Sequence, residues 1–222
     1  MRNQRLIVIL VTSALAGTIT FAQPGRGGSQ WLTPLADAQR TSWIRTDDKI
    51  SPMERSAMDA IDADVAGERP MQRLLMGEVG SGKTVVALYA MLRAVEGGAQ
   101  AALMAPTETL AEQHFATLQK LMPGELVQAA LLTGSTPAAR RTDLLGKLAS
   151  GELRLLVGTH ALIEQAVEFD RLSVVVVDEQ HRFGVAQRMM LAAKAERPPH
   201  LLVMTATPIP RTLTLTHYGE MD

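Results

Sequence analysis

The sequence predicts an α/β fold in which a mostly parallel sheet is covered by helices on both faces. From Ser51 onward, six short apolar runs alternate with helical stretches. The runs are apolar at almost every position, as strands buried on both faces require. Strands that alternate regularly with helices predict βαβ units and a parallel sheet. The six runs lie at 73–76, 101–105, 126–132, 153–157, 173–177 and 200–204.

Helix boundaries between these runs carry their own signals. Ser51, Pro52 and Glu54 form a capping box with proline at the first helical position, and Gly67 and Pro70 end that helix. Residues 83–96 are apolar almost all round, which indicates a helix sandwiched within the fold. Further helices are predicted at 107–122, after a threonine cap, and at 136–150.

Composition limits the classes of protein that this chain can belong to. Its 222 residues are 46% hydrophobic and 20% charged, enough for one sizeable core. The net charge of -1 excludes a broad basic surface, so any nucleic-acid contact must be local. The chain has no cysteine, which excludes disulfides, thiolate nucleophiles and thiolate metal sites.

The first 50 residues differ in character from the rest. Residues 1–22 combine Arg2 and Arg5, an apolar run and a small residue at the end. This layout is typical of a secretory signal, and the alternative is a spurious or fused extension. The run is short and contains Thr and Ser, so a membrane anchor is the weakest interpretation. Residues 23–50 predict a flexible linker, and 51–222 the folded domain.

A phosphate-binding loop follows the first predicted strand. Residues 77–84 fit G-x-x-x-x-G-K-[ST] at every fixed position, between an apolar strand and an apolar helix. Glycines allow successive backbone N–H groups to converge on a phosphate at a helix N-terminus. Lys83 is predicted to reach the β- and γ-phosphates of ATP, and the Thr84 hydroxyl to ligate Mg²⁺. The predicted nucleotide-binding residues of the loop are Gly77, Gly80, Ser81, Gly82, Lys83 and Thr84.

An acidic pair ends a later strand. Asp178 and Glu179 follow four consecutive valines, which predict a buried central strand. At the carboxyl edge of an open α/β sheet, Asp178 would hold Mg²⁺ and Glu179 would polarise the attacking water. Solvated acids at a strand end are the alternative for the pair alone, and the phosphate loop favours the catalytic interpretation.

Two hydroxyl-bearing turns follow other strands. Thr205 and Thr207 come after the last strand, where they could bond the acidic loop and sense the γ-phosphate. Thr159 and His160 follow the fourth strand, where they could donate to a phosphate backbone. Ordinary turns are the alternative at both places.

Taken in order, these motifs resemble those of the superfamily 2 helicases, most closely the RecG family of branch-migration helicases. The resemblance covers roughly 51–222, and the transcription-repair coupling factors are the nearest relatives of that family. Gln180 favours the RecG family, because it makes residues 178–181 a DEQH box. The other matching segments are 70–75 before the phosphate loop, 105–108 with 110–114 (motif Ia), 132–135, 158–162, 187–188 and 205–213 (motif III).

The resemblance implies a RecA-like motor domain that hydrolyses ATP with Mg²⁺ and acts on branched or single-stranded DNA in the cytoplasm. Such a location conflicts with the signal-like start, and no stable membrane association is expected. Lys83, Glu179 and Gln180 would be catalytic, while Gln180, His181, Thr205 and Thr207 would couple nucleotide to DNA. Contacts to DNA phosphates, with little sequence preference, are implied for Pro106, Thr107, Gln113, Thr133, Gly134, Thr159 and His160.

Two departures from the family qualify this expectation. A glutamine that reads adenine usually precedes the phosphate loop, and Glu54 stands at the corresponding place, which predicts relaxed adenine selectivity. The sequence ends at Asp222, without a second RecA-like domain or a wedge domain, so we expect weak binding, slow hydrolysis and no unwinding by this chain alone. The competing functions are another P-loop NTPase, for example in secretion or partitioning, and a non-catalytic DNA-binding fragment.

Overall fold

A computed structural model describes residues 7–11, 50–67, 69–78, 80–122, 127–178 and 185–206, with only the backbone described for 7–11. Four predicted site residues lie outside these ranges: Glu179, Gln180, His181 and Thr207. So do most of the leader and almost all of the predicted linker.

The described strands form one seven-stranded sheet in which every pair is parallel, and all six predicted strands are confirmed. Strand β4 begins after Gln128, because this exposed polar residue interrupts the predicted apolar run. The seventh strand, β1, comes from the leader and pairs with β2 at the sheet's edge. The order is β1-β2-β7-β6-β3-β5-β4. The strands are β1 (Ile7–Val11), β2 (Gln72–Gly77), β3 (Gln100–Met104), β4 (Ala129–Leu132), β5 (Leu155–Gly158), β6 (Leu172–Asp178) and β7 (His200–Thr205).

Five α-helices and one 3₁₀ turn connect the described strands. The capping box is present, since the Ser51 side chain accepts from the Glu54 N–H and Glu54 accepts from the Ser51 N–H. Thr107 likewise caps its helix by accepting from the Leu110 N–H at 3.3 Å. The helices are α1 (Pro52–Val65), α2 (Lys83–Glu96), α3 (Glu108–Leu121), α4 (Ala138–Ala149) and α5 (Val185–Ala192), with the 3₁₀ turn at His160–Ile163.

Alternate residues of each central strand enter two separate cores. Ala101 and Leu103 of β3 pack with α1, α2 and α3, whereas Ala102 and Met104 pack on the other face with α4, the 3₁₀ turn and α5. Helices therefore cover both faces of the sheet, as predicted. In the described part of the chain, no helix combines the length and apolar character that crossing a bilayer requires.

Two polar side chains join strands to neighbouring segments. Gln100 is fully buried, and its amide N–H groups donate to the carbonyls of Leu148 and Leu153 at 2.8 and 2.7 Å. Its amide oxygen accepts from the Arg171 N–H at 2.9 Å. At the amino end of β7, His200 Nδ1 accepts from the Met71 N–H at 2.9 Å. These bonds fix β3 and β7 within the sheet.

Candidate active site

Parallel pairing brings the carboxyl ends of all strands to one edge of the sheet. The phosphate loop leaves β2, Thr205 ends β7 and Asp178 ends β6, and these three strands are neighbours. In register, Thr205 lies beside Met76, and Asp178 beside Met204. Neighbouring strands are about 4.8 Å apart, so the strand before the loop and the strand of Asp178 are separated by about 10 Å.

The phosphate loop has the backbone geometry that its glycines predict. Gly80 and Gly82 have φ of 84° and 83°, in the left-handed region that glycine adopts most readily. The hydroxyl of Ser81 is buried and has no hydrogen-bond partner among the described residues. The Lys83 ammonium donates to the carbonyls of Gly77 and Glu78 at 2.6 and 2.8 Å. The unpaired buried hydroxyl of Ser81 and the ammonium of Lys83 are donors that suit an anionic ligand such as a phosphate.

Five of the predicted nucleotide and metal residues line one pocket of about 270 Å³, and Gly77, Ser81 and Glu54 are not among its lining. Lys83, Thr84 and Asp178 all line it, so the loop and the acidic strand face the same space, and their roles towards nucleotide and metal stay predictions. The described residues include no group of three or more carboxylates or histidines placed to hold a metal. Mg²⁺ commonly takes one or two protein ligands and completes its shell with phosphate and water, and Thr84 with Asp178 fit that demand. The lining is Gly80, Gly82, Lys83, Thr84, Leu110, Gln113, His114, Thr117, Asp178, Met204 and Ala206.

Sequence reasoning did not assign His114 to this site. His114, on the second turn of α3, has Nε2 2.6 Å from Asp178 Oδ2. The signal that could have found it is the position of α3, which follows β3, the strand beside β6. Gln113, which the resemblance assigns to DNA, is exposed and lines the same pocket.

Glu54 lies directly beside the phosphate loop. Glu54 is 8% exposed, and one of its carboxylate oxygens accepts from the Ser51 N–H at 2.7 Å. The other oxygen is so near Gly82 that an added Cβ there would stand 1.6 Å from it. The structure therefore gives Glu54 a capping and packing role, and its effect on adenine selectivity stays a prediction.

Thr205 lies between the two halves of the pocket, at the end of the strand that separates β2 from β6. It is 1% exposed, and the pocket is lined by its neighbours Met204 and Ala206 rather than by Thr205 itself. The coupling role of Thr205 stays a prediction.

The predicted DNA-contacting residues, apart from Gln113, lie along the other half of the same edge, after β3, β5 and β4. Thr107, Gly134 and His160 are exposed, and Pro106 is half-buried. Thr133 and Thr159 are buried, at 3% and 2% exposure, so their side chains do not belong to the surface that the exposed residues form at this edge. Thr159 Oγ1 has no partner in the described structure.

Glu108 joins two loops of this edge, where the DNA-contacting residues are predicted. Its carboxylate accepts from the Ser135 N–H at 3.1 Å and from the Ser135 hydroxyl at 2.8 Å. These bonds, led by the one from the hydroxyl, hold the pKa of Glu108 below its ordinary value. The turn after β4 is thus tied to the first turn of α3, in a charge-assisted contact that the sequence did not predict.

Comparisons with known proteins find RecG helicases among the relatives that this chain resembles. The chain is 52% identical over 173 residues to the ATP-dependent DNA helicase RecG of Streptococcus pneumoniae, covering 78% of this chain and 25% of that protein. It is 56% identical over 162 residues to RecG of Bacillus subtilis, covering 73% and 24%. A solved structure of RecG bound to a three-way DNA junction matches with a TM-score of 0.66 and 39% identity, over 78% of this chain and 23% of that one.

The chain thus spans about a quarter of the length of these curated relatives. The fold of the matched region is that of a RecA-like motor domain, as expected from the alternating strands and helices. Residues 51–216 match the DEAD/DEAH box helicase family, and the chain belongs to that family.

Proposed function

We propose that this chain is the ATP-binding motor domain of a RecG-type DNA helicase, in which ATP hydrolysis drives branch migration or unwinding. The observation that supports this most directly is that Lys83, Thr84 and Asp178 line the same pocket. Membership of the helicase family and about 50% identity to RecG proteins point to the same activity.

The residues of the pocket would have different roles in binding and hydrolysing the nucleotide. Lys83 exchanges the carbonyls of Gly77 and Glu78 for the β- and γ-phosphate oxygens, and the unpaired Ser81 hydroxyl gains an acceptor. Bound Mg²⁺ neutralises charge on the phosphates, and Thr84 and Asp178 would hold it. Glu179, outside the described residues, would orient the attacking water as general base.

The DNA-facing half of the edge supports a contact that ignores base sequence. Thr107, Gly134 and His160 offer hydroxyl, backbone and imidazole donors, which suit phosphate oxygens. The RecG relative of known structure is bound to a three-way junction, which makes branched DNA the preferred substrate proposed here. Because ATP and DNA occur in the cytoplasm, we place the function there, and a second motor domain would complete the active site.

Nucleotide binding tests the first part of the proposal. A fluorescent ATP analogue should bind the purified chain in a Mg²⁺-dependent manner. Lys83→Ala should weaken this binding by at least tenfold, because a phosphate contact of an ammonium contributes about 1.5–3 kcal/mol. Lys147→Ala is the matched control, since this lysine pairs with Asp143 on the surface of α4. Equal affinity in both variants would contradict the proposal.

DNA binding separates the proposal from its competitors. A three-way junction should bind better than an intact duplex of the same length, and should increase ATP turnover. Another P-loop NTPase would bind nucleotide but show no preference for the junction. A non-catalytic fragment would bind DNA and show only background ATP turnover. Lys83→Ala would change neither its DNA affinity nor that background.

A further inference from the structure

We propose that His114 is a positioning residue for the metal-site carboxylate of Asp178, an inference that rests on the proposed function of the pocket. The two side chains meet across elements that are 64 residues apart in sequence. None of the motif-based predictions assigned His114 a role in the nucleotide site.

The contact has the geometry of a strong, sheltered hydrogen bond. His114 Nε2 and Asp178 Oδ2 are 2.6 Å apart, and their side chains are only 13% and 11% exposed. A carboxylate only accepts hydrogen bonds, so the ring donates from Nε2. Such a bond is stronger in a sheltered site than in water, because less solvent competes for either group.

The bond controls where the carboxylate points. With Oδ2 held by the ring, rotation of the carboxylate plane about the Cβ–Cγ bond of Asp178 is restricted, and the direction of Oδ1 is set. Mg²⁺ demands near-octahedral geometry and tolerates misdirected oxygens poorly. Partners that orient a ligand in this way typically contribute a factor of about 10–100 in metal affinity.

Helix α3 is itself fixed firmly enough to hold the ring in place. Its first turn is capped by Thr107, and Glu108 is bonded to Ser135 in the neighbouring turn. Ala111 and Leu118, on its inner face, are fully buried in the core. His114 lies between these two anchors, on the part of the helix that lines the pocket.

Four variants test the role. His114→Ala removes the donor, His114→Gln places an amide N–H close to the position of Nε2, and His114→Asn carries a donor that is too short to reach. Glu112→Ala is the matched control, because Glu112 is exposed on the same helix. For each, a Mg²⁺ titration of fluorescent-nucleotide binding is compared with nucleotide affinity in EDTA and with thermal unfolding.

We expect His114→Ala and His114→Asn to raise the half-saturating Mg²⁺ concentration about 10–100-fold, with unchanged affinity in EDTA. His114→Gln should recover most of the loss, and Glu112→Ala should match the unmodified chain. An unaltered Mg²⁺ requirement in His114→Ala would overturn the inference about His114 and leave the proposed function standing. So would a loss of metal-free affinity and thermal stability that glutamine does not restore. Failure of the unmodified chain to bind nucleotide with Mg²⁺ would overturn the proposed function, and the inference with it.

Discussion

Replacing Gly82 by alanine tests how closely helix α1 is fitted to the phosphate loop. The new Cβ would stand 1.6 Å from Glu54 Oε1, so the Glu54 side chain would have to move. Gly80 offers a matched control in the same loop, because its φ of +84° is nearly identical and a Cβ there would meet nothing within 4 Å. The difference between the two variants isolates the contact with Glu54.

The expected loss of stability follows from the hydrogen bond that Glu54 must break in order to move. Both substitutions force a non-glycine residue into the left-handed region, at a cost of about 1–2 kcal/mol. In Gly82→Ala, Glu54 must also release the Ser51 N–H that it accepts at 2.7 Å, which costs about 1–3 kcal/mol more. We therefore expect Gly82→Ala to lower the free energy of unfolding by about 2–5 kcal/mol and Gly80→Ala by about 1–2.

Urea unfolding of both variants, followed by circular dichroism, measures these free energies. A double-mutant cycle with Glu54→Ala completes the test, because removal of the carboxylate relieves the clash and leaves only the backbone strain. The cost of adding alanine at Gly82 should then fall to the cost seen at Gly80. Equal losses for Gly80→Ala and Gly82→Ala, or no coupling with Glu54→Ala, would refute the reasoning.

Two further predictions concern polar groups of the sheet. Burial lowers the pKa of His200, although Asp64 opposes the shift, and its Nδ1 must stay unprotonated to accept from Met71. The unfolded chain therefore binds more protons, so stability should be full above about pH 6.5 and fall as the pH drops towards the lowered pKa. His200→Asn, whose oxygen can accept the same N–H without titrating, should flatten the profile in urea unfolding between pH 5 and 8. Gln100→Leu should lower the free energy of unfolding by about 2–3 kcal/mol, because it removes three hydrogen bonds to the backbone. The Leu148 carbonyl keeps the Gly151 N–H as a donor, whereas the Leu153 carbonyl and the Arg171 N–H lose the Gln100 side chain. Exposed Gln119→Leu should stay within about 0.5 kcal/mol of the unmodified chain, and equal losses would contradict the role of Gln100.

Much of the fold could be predicted because its signals are local. Strands buried on both faces must be apolar at every position, and the four valines before Asp178 could belong only to the sheet's interior. Helix starts were equally readable, since Ser51 and Thr107 carry side chains that cap the backbone. Helix α5 escaped prediction because its pattern is weak, with Met189 and Met190 exposed at 65% and 55%.

The arrangement of the site depended on information that no single segment contains. The order of strands places β6 beside β3, and this juxtaposition alone brings His114 to Asp178. Burial of Thr133 and Thr159 was equally unpredictable, because a hydroxyl at a strand end can face either solvent or the interior. Periodicity distinguishes faces within an element, whereas these outcomes depend on which elements become neighbours.

The hydrogen bonds within the pocket explain why nucleotide binding should depend on Mg²⁺. Lys83 already donates to two carbonyls, and Asp178 already accepts from His114. A phosphate must therefore replace existing bonds of Lys83, and the net gain of about 1.5–3 kcal/mol is the difference between two charge-assisted interactions. Asp178 also places a carboxylate beside the space for the phosphates, which repels an unneutralised ligand. A divalent cation between Asp178 and the phosphates turns this repulsion into attraction. Nucleotide affinity should therefore be higher with Mg²⁺ than with the phosphate loop alone.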